Sequence, residues 1–223
     1  TEEAGMFAGL TTEEANKPIA LHLEKIGALF ALKKIEHQYP HCWRCHKPVI
    51  FRATSQWFCS VDDFKDEAVK AAEDVKWFPE WGKDRLQSMV KERADWCISR
   101  QRKWGVPIPV VYCQDCGKEI IDNDVMMKVS KIFGEEGSDA WFAHDTEYFL
   151  PEGFKCPHCG SNKGFDKEKD IMDVWFDSGS SHAAVCRKRG YLKVPADVYL
   201  EGADQYRGWF QSSLLTSVAG GNG

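Results

Sequence analysis

Six of the nine cysteines in this sequence fall in three Cys-x-x-Cys pairs. A Cys-x-x-Cys turn directs two thiolates at one point, and a zinc ion takes four such ligands in a tetrahedron. The pairs Cys113/Cys116 and Cys156/Cys159 are each followed by glycine, which readily adopts the left-handed turn of a zinc knuckle. The sequence therefore predicts one structural zinc ion shared by these four cysteines. A redox-active pair is the alternative, but that chemistry needs a single pair at a helix start.

The third pair, Cys42 and Cys45, has no matching pair left in the sequence. His41 and His46 flank it, but residues so close in sequence rarely point at the same metal ion. We interpret this pair as half of a metal site, whereas His158 is expected to be a turn residue. The odd number of cysteines argues against a disulfide framework. The isolated cysteines are expected to be small buried residues: Cys59, Cys97 and Cys186.

A second group of chemically useful side chains lies near the carboxyl end of the sequence. Residues 198–201 are predicted to form a strand, followed by a turn over 202–204 and an amphipathic helix over 205–219. Open α/β sheets bind nucleotides at such strand–turn–helix units. Glu201, Asp204 and Gln205 would accept hydrogen bonds there from ribose hydroxyls and an ammonium group. The alternative is that Asp204 only caps the helix.

Periodicity and turn residues predict the elements that must position these groups. A further apolar strand, breaking into a small-residue turn, is predicted over 173–181, and an extended segment over 104–109. Helices are predicted from Thr12 to Gly27, from Asp62 or Asp63 to about Val75, and over 83–93 and 124–133. Shorter strands are predicted over 28–37 and 49–53.

Composition and charge exclude several classes of protein. Of the 223 residues, 43% are hydrophobic and 28% are charged, so the chain can bury a core. The net charge of −5 excludes a general polycation. Between Lys83 and Lys103, however, seven basic residues stand against three acidic ones, which indicates either a nucleic-acid patch or a solvated helix face. No apolar run approaches the ~20 residues of a membrane span, and the acidic start is unlike a signal peptide, so a cytoplasmic protein is expected.

Four stretches resemble one enzyme family. Residues 96–109 resemble a segment shared by the leucyl, isoleucyl and valyl-tRNA synthetases of class I. Residues 39–44 and 51–58 resemble the return from the editing insertion of bacterial-type isoleucyl enzymes, and 170–182 resembles a strand of their catalytic domain. Residues 200–210 are similar to their adenylate-binding segment, which differs in the leucyl and valyl relatives. Tyr206 departs from the pattern, since these enzymes commonly have histidine there.

The resemblance implies an α/β fold: a partial Rossmann-type catalytic domain of a class I synthetase with an inserted zinc-ribbon-like subdomain. Residues 1–40 would be the tail of the editing insertion, and residues 41–110 the return connection into the catalytic domain. Residues 111–168 would form the zinc-knuckle insertion, and 169–223 the second half of the Rossmann-type domain. The Cys42/Cys45 pair would be completed by a Cys-x-x-Cys located before the editing domain.

The resemblance also implies a reaction, in which isoleucine and ATP, with Mg²⁺, form isoleucyl-adenylate and the isoleucine passes to its tRNA. Glu201, Gly202 and Asp204 would hold the ribose and neighbouring groups. Gln205 would contact the amino-acid moiety. The side chain of isoleucine would lie between two tryptophans, Trp175 and Trp209.

Neither a His-Ile-Gly-His nor a Lys-Met-Ser-Lys-Ser signature occurs in the sequence. In the family these phosphate-handling segments lie before and after the present one, so both ends are expected to be limits within a longer protein. The isolated chain is therefore expected to bind zinc but not to activate isoleucine. Two alternatives remain: a zinc-ribbon module that binds tRNA or protein without catalysis, and a segment of a valyl or leucyl synthetase.

Overall fold

The computed structural model describes residues 1–221, which divide into a unit over Thr1–Ser55 and a second unit that begins at Gln56. The first unit contains a 3₁₀ segment, Glu2–Phe7, and helix α1, Thr12–Lys25. Thr11 caps α1: its hydroxyl accepts from the Glu14 amide at 3.3 Å, and the Glu14 carboxylate accepts from the Thr11 amide at 2.9 Å. This reciprocal pair starts the predicted helix one residue after Thr11.

The prediction of strands over 28–37 and 49–53 is wrong. Within residues 1–55 the structure has one isolated antiparallel bridge, between His41 and Pro48, which closes the turn around Cys42 and Cys45. The apolar side chains of Phe30 and Phe51 are exposed. Alternating apolar residues form a strand only when a neighbouring strand pairs with the backbone, and none does so here among residues 1–55.

The second unit opens with short strands and two helices around an apolar core. Its elements are β1 (Phe58–Cys59), α2 (Lys65–Ala71), α3 (Trp81–Lys91), β2 (Trp96–Cys97) and β3 (Ser99–Arg100). Strands β1 and β2 pair antiparallel. Helix α2 is shorter than predicted and lacks the expected cap, because Asp62 forms an ion pair with the Lys65 side chain instead.

A cysteine-bearing lobe, residues 111–167, follows. It contains β4 (Val111–Cys113), β5 (Glu119–Ile120), α4 (Asn123–Glu136), α5 (Ala140–Ala143), α6 (Thr146–Phe149) and β6 (Phe165–Lys167). The strands form an antiparallel sheet in the order β5-β4-β6. Helix α4 includes the predicted helix and is capped by Asp122, whose Oδ1 accepts from two backbone amides. Val111, Trp141 and Phe149 lie fully buried in the core of the lobe.

The last part contains β7 (Ile171–Met172), α7 (Val174–Gly179), a π-helical turn (His182–Cys186), a 3₁₀ turn (Ala203–Arg207) and α8 (Trp209–Ala219). Strand β7 pairs antiparallel with β3. The prediction of a strand over 173–181 is wrong, because Asp173 caps a helix there. Its Oδ1 accepts from the Trp175 amide at 3.3 Å. Residues 198–201 form no strand either, since no neighbouring strand in the described part of the chain pairs with them.

The mixed α/β class is confirmed, whereas the named strands of residues 1–221 all pair antiparallel, and the Rossmann-type arrangement stays a prediction. Helices α2, α3 and α8 share a second core. Tyr206 is a core residue, 5% exposed, and packs against Trp77 and Trp81. At Gly82 a Cβ atom would lie 2.2 Å from the Tyr206 hydroxyl, so this close contact requires glycine.

A hydrogen-bonded group joins the cysteine lobe to the rest of the second unit. The Trp57 indole donates to Glu168 Oε2 at 2.8 Å, and the Tyr112 hydroxyl donates to the same oxygen at 2.5 Å. Desolvation and the Glu168 hydrogen bond raise the pKa of Tyr112 to about 12. Burial raises the pKa of Glu168, but the hydrogen bonds from Tyr112 and the Asp170 amide outweigh it and lower the pKa overall.

Replacing Trp141 tests the core of the lobe. Trp141 is 0% exposed, whereas the neighbouring Phe142 is 52% exposed. We expect Trp141→Ala to reduce the free energy of unfolding by about 3–5 kcal/mol, because it leaves a large cavity. Phe142→Ala, the matched control, should change it by about 0.5 kcal/mol or less. Urea unfolding followed by circular dichroism measures both, and equal effects would contradict the assigned core.

The raised pKa of Tyr112 predicts that the stability of the fold depends on pH. An unfolded tyrosine ionises near a pKa of about 10, below the folded value, so folding favours the protonated form. The resulting stabilisation is complete below pH ~10 and is lost as the pH rises towards 12. Phenolate absorbance of the wild type minus that of Tyr112→Phe should titrate near pH 12. Tyr191→Phe, at an exposed tyrosine, is the control for the loss of one phenol. A Tyr112 difference signal near the ordinary tyrosine pKa of about 10 would refute the arrangement around Tyr112.

Candidate functional site

The four cysteines predicted to share a metal ion converge in the lobe. The Sγ atoms of Cys113, Cys116, Cys156 and Cys159 all lie within 4.8 Å of one another. The distances Cys113–Cys159 and Cys116–Cys156 are both 3.7 Å. A tetrahedral ion with bonds of about 2.3 Å to sulfur separates its ligands by about 3.8 Å. The cluster therefore has the size and the donor set of a four-cysteine metal site.

Two backbone turns of the same design bring the thiols together. In the first, the Gly117 amide donates to the Cys113 carbonyl at 2.8 Å; in the second, the Gly160 amide donates to the Cys156 carbonyl at 2.8 Å. Both glycines are left-handed, with φ of 68° and 74°. His158 lies 2.9 Å from the Glu119 carbonyl through Nε2 and is outside the cysteine cluster, as predicted for a turn residue.

The thiols of the cluster differ in acidity. Burial raises the pKa of Cys156, but hydrogen bonds from the His158 and Cys159 amides and from neighbouring thiols outweigh it, giving a pKa of about 6. At Cys159 the Ser161 amide lowers the pKa, yet burial and the other three cysteines raise it to about 12. One thiolate therefore forms readily, and further ionisation is opposed by the like charge nearby.

The Cys42–Cys45 turn has the same backbone pattern. The Cys42 amide donates to the Lys47 carbonyl at 2.9 Å, and the His46 amide donates to the Cys42 carbonyl at 2.8 Å. His46 has φ of 56° and so occupies the position that glycine fills in the other two knuckles. No second cysteine pair completes this turn among residues 1–221, and the half-site stays a prediction. The isolated Cys59, Cys97 and Cys186 are half-buried rather than buried, which corrects the expectation for them.

Trp175 and Trp209 are anchored where α7 packs against α8. This packing requires Gly179, since a Cβ atom there would lie 2.7 Å from the Ser212 carbonyl oxygen. The Trp209 indole donates to the Ser178 carbonyl at 2.9 Å, and Tyr199 stacks on its ring with centroids 4.5 Å apart. Trp175 remains 42% exposed and Trp209 half-buried.

The polar residues predicted to bind the adenylate lie on the turn before α8. Glu201, Gly202 and Asp204 are exposed. Gln205 Oε1 accepts from the Trp209 amide at 2.9 Å, and Gln205 Nε2 donates to Asp204 Oδ2 at 3.0 Å. Gln205, rather than Asp204, therefore satisfies the first amide of α8, and the alternative that Asp204 only caps this helix is wrong. A Cβ atom at Gly202 would lie 2.6 Å from Asp204 Oδ1, a contact that the exposed Asp204 side chain can relieve by rotating.

The structure adds a cleft that the sequence patterns did not indicate. It has a volume of about 60 Å³ and borders Trp175. Besides that ring, its lining includes side chains from β2, from α8 and from the segments just before β2, α7 and α8: Arg93, Trp96, Asp173, Arg207 and Gln211. Each of these residues lies in a segment discussed in the sequence analysis. Hydrophobic periodicity, however, does not indicate which segments contact one another.

A buried carboxylate, that of Asp173, organises one wall of this cleft. Asp173 is 4% exposed. Its Oδ2 accepts from the Trp96 indole at 2.9 Å and forms an ion pair with Arg100 at 2.9 Å. Because its Oδ1 also accepts from the Trp175 amide, the Asp173 side chain connects β2, β3 and α7.

Removal of this carboxylate should destabilise the fold. We expect Asp173→Ala to lower the free energy of unfolding by roughly 2–4 kcal/mol, because it leaves the buried Trp96 indole without an acceptor and α7 without its cap. Asp197→Ala is the matched control, since Asp197 pairs with Lys193 on the surface, where an ion pair contributes about 0–1 kcal/mol. Denaturant unfolding compares the two, and a loss at Asp173 no greater than at Asp197 would rule out this organising role.

Comparison with known proteins identifies the family. Residues 8–222 match the family of tRNA synthetases class I (I, L, M and V), and the chain belongs to it. Within that family it is 63% identical over 219 residues to the isoleucine–tRNA ligases of Caldicellulosiruptor bescii and Caldicellulosiruptor saccharolyticus. It is 59% identical over 222 residues to that of Carboxydothermus hydrogenoformans. The resemblance inferred from residues 39–44, 51–58, 96–109, 170–182 and 200–210 is confirmed.

The alignments cover 98% of this chain but only 24% of the length of each of these relatives. No helix in the described part of the chain is long and apolar enough to cross a membrane.

Proposed function

We propose that the protein containing this chain activates isoleucine with ATP and transfers it to the isoleucine tRNA. This chain would carry the residues that recognise the adenylate and the isoleucine side chain. The observation that carries the proposal is the α7–α8 junction, which anchors Trp175 and Trp209 beside the exposed Glu201–Gln205 turn. Isoleucine–tRNA ligases that are 63% identical support the same reading. The reaction and its tRNA partner make the cytoplasm the expected location.

The residues of the junction suit the two parts of an aminoacyl-adenylate. Trp175 and Trp209 offer apolar surface to the isoleucine side chain. Glu201 and Asp204 present exposed carboxylates, acceptors for ribose hydroxyls and for the substrate ammonium group. The amide of Gln205, already bonded to Asp204, is held near the amino-acid moiety. Catalysis would consist of positioning the substrates and stabilising phosphate charge, with ATP bound as its Mg²⁺ complex.

The pocket by itself has limited power to choose the amino acid. One methylene is worth only ~1–3 kcal/mol in an apolar pocket, and isoleucyl enzymes facing valine are the standard case of this limit. A separate editing site is therefore part of the proposed protein. A valyl or leucyl enzyme is disfavoured by the identity to isoleucine–tRNA ligases. A binding-only zinc ribbon is disfavoured because it needs no turn of the Glu201–Gln205 kind.

We further propose that the metal of the cysteine lobe is zinc. The 3.7 Å sulfur separations and the four-thiol donor set fit a closed structural zinc site. Bound there, zinc would hold the two knuckles together and stabilise the thiolates, with no part in the reaction. The Cys42/Cys45 knuckle is proposed as half of a second site, with its remaining ligands outside this chain.

Metal analysis of the purified chain tests the zinc proposal. We expect about one tightly held zinc ion per chain, because four convergent thiols form a closed site. Cys156→Ser should abolish it, whereas Cys186→Ser, which removes an isolated thiol, should leave it unchanged. No zinc in the wild type would refute the site, and a second ion lost on Cys42→Ser would mean that the half-site finds ligands in another molecule.

Binding of a non-hydrolysable isoleucyl-adenylate analogue tests the recognition role. Calorimetry should detect binding that Glu201→Ala weakens about tenfold or more, since a hydrogen bond to a charged group contributes about 1.5–3 kcal/mol. Glu152→Ala, at another exposed glutamate, is the matched control. Equal affinity of the two variants would contradict the proposed contact.

A further inference from the structure

The cleft beside Trp175 contains more hydrogen-bond donors than acceptors. We propose that it is a binding site for a single carboxylate group, and we call it the arginine cleft, defined by Arg93, Trp96, Trp175, Arg207 and Gln211. It is separate from the cysteine cluster, and Trp175 alone belongs to the adenylate-recognition residues described above. The charge of the lining, one unpaired buried donor and the size of the cleft each support this assignment.

The charge of the lining is positive. Arg93 contributes one guanidinium, held over the Trp96 ring at 5.1 Å and bonded to Gln211. Arg207 contributes a second from an exposed position before α8. The acid of the lining, Asp173, forms an ion pair with Arg100, and its charge also acts on Arg93. Because two arginines stand against this one carboxylate, the lining keeps a net positive charge, which favours an anion in the cleft.

One buried donor of the lining lacks a partner among residues 1–221. Arg93 Nε is buried and makes no hydrogen bond. Gln211 is 4% exposed, and its Oε1 accepts from Arg93, so the Gln211 side chain holds this guanidinium at the cleft. The Arg207 side chain is exposed and contributes a charge rather than a buried donor. Buried polar groups are normally paired, so an unmet buried donor beside a cavity indicates a missing acceptor.

The size of the cleft selects the kind of acceptor. A volume of about 60 Å³ holds a few water-sized groups, which is the size of a carboxylate. A carboxylate is small and planar, and its two oxygens match the fork of N–H donors that a guanidinium presents. The indole rings of Trp96 and Trp175 line the cleft and suit the apolar carbon that carries a carboxylate.

Such a carboxylate has two sources. One is the α-carboxylate of a free amino acid, a reading that rests on the proposed function and places that group beside Trp175. The other is the side chain of an aspartate or glutamate from another protein segment, which needs no substrate. The two sources share the chemistry of recognition and differ in the molecules that should bind.

Titration of the chain with sodium acetate at constant ionic strength tests the cleft. Trp96 and Trp175 line it, so tryptophan fluorescence and side-chain amide NMR signals should change saturably. Arg207→Gln should weaken binding about fivefold, the scale of an exposed ion pair. Arg102→Gln is the matched control, because this exposed arginine bonds only the neighbouring Gln101 carbonyl. The Arg207 side chain makes no hydrogen bond or ion pair within residues 1–221, so replacing it should leave folding intact.

Three further ligands distinguish the sources. Tighter binding of isoleucine than of isoleucinol, which lacks the carboxylate, supports the amino-acid source. Binding of N-acetyl-aspartamide comparable to acetate, with no preference for isoleucine, supports the side-chain source. No saturable response, an equal response to chloride, tighter binding of inorganic phosphate, or equal affinity of the Arg207 and Arg102 variants would each overturn the proposal. If the adenylate analogue still binds in a Glu201-dependent manner, only the cleft fails and the proposed function stands.

Discussion

The α7–α8 junction, with its candidate adenylate-binding residues, depends on the hydrogen bonds and the ion pair of the buried Asp173 carboxylate. A charge removed from water is costly unless it is paired and fully hydrogen-bonded. Asp173 meets that requirement with the Trp96 indole, the Arg100 guanidinium and the Trp175 amide, which belong to three different elements. Because each partner must lie in one place, the carboxylate fixes where α7 starts and how the arginine cleft is bounded. Helix α8 then packs on α7 through Gly179 and brings Trp209 to the junction.

The cysteine lobe follows a different logic. It has its own apolar core around Trp141, and its thiols are brought together by two local turns. Glu168 connects it to the preceding segment by accepting from Trp57 and Tyr112. In the proposed enzyme, zinc would hold the two knuckles together, and the Glu168 hydrogen bonds would set the position of the lobe relative to Trp57 and β1. Neither feature contributes a group to the chemistry, which fits a structural metal site.

Recognition in the proposed enzyme thus divides between rigid and exposed parts. Trp209 is fixed by its indole hydrogen bond and by stacking with Tyr199. Glu201 and Asp204 stay exposed on a turn that Gln205 ties to the start of α8. A rigid wall suits discrimination by shape, whereas exposed carboxylates on a fixed turn remain available for the polar groups of a ligand.

Features that depend on residues close together in the chain could be predicted from the sequence. The knuckles at Cys113 and Cys156, the cap at Thr11 and the helix after Asp122 are set by spacing and by residues a few positions apart. The family could also be inferred, because residues 200–210 resemble the adenylate-binding segment of one group of synthetases.

Features that depend on partners far apart in the sequence could be found only from the folded structure. Strands predicted over 28–37 and 198–201 did not form, since a strand needs a neighbouring backbone that alternation alone cannot supply. Asp173 became a helix cap rather than part of a strand because Trp96 and Arg100, far away in sequence, hold its carboxylate in place. The arginine cleft exists only where these segments meet, so no local pattern could have indicated it.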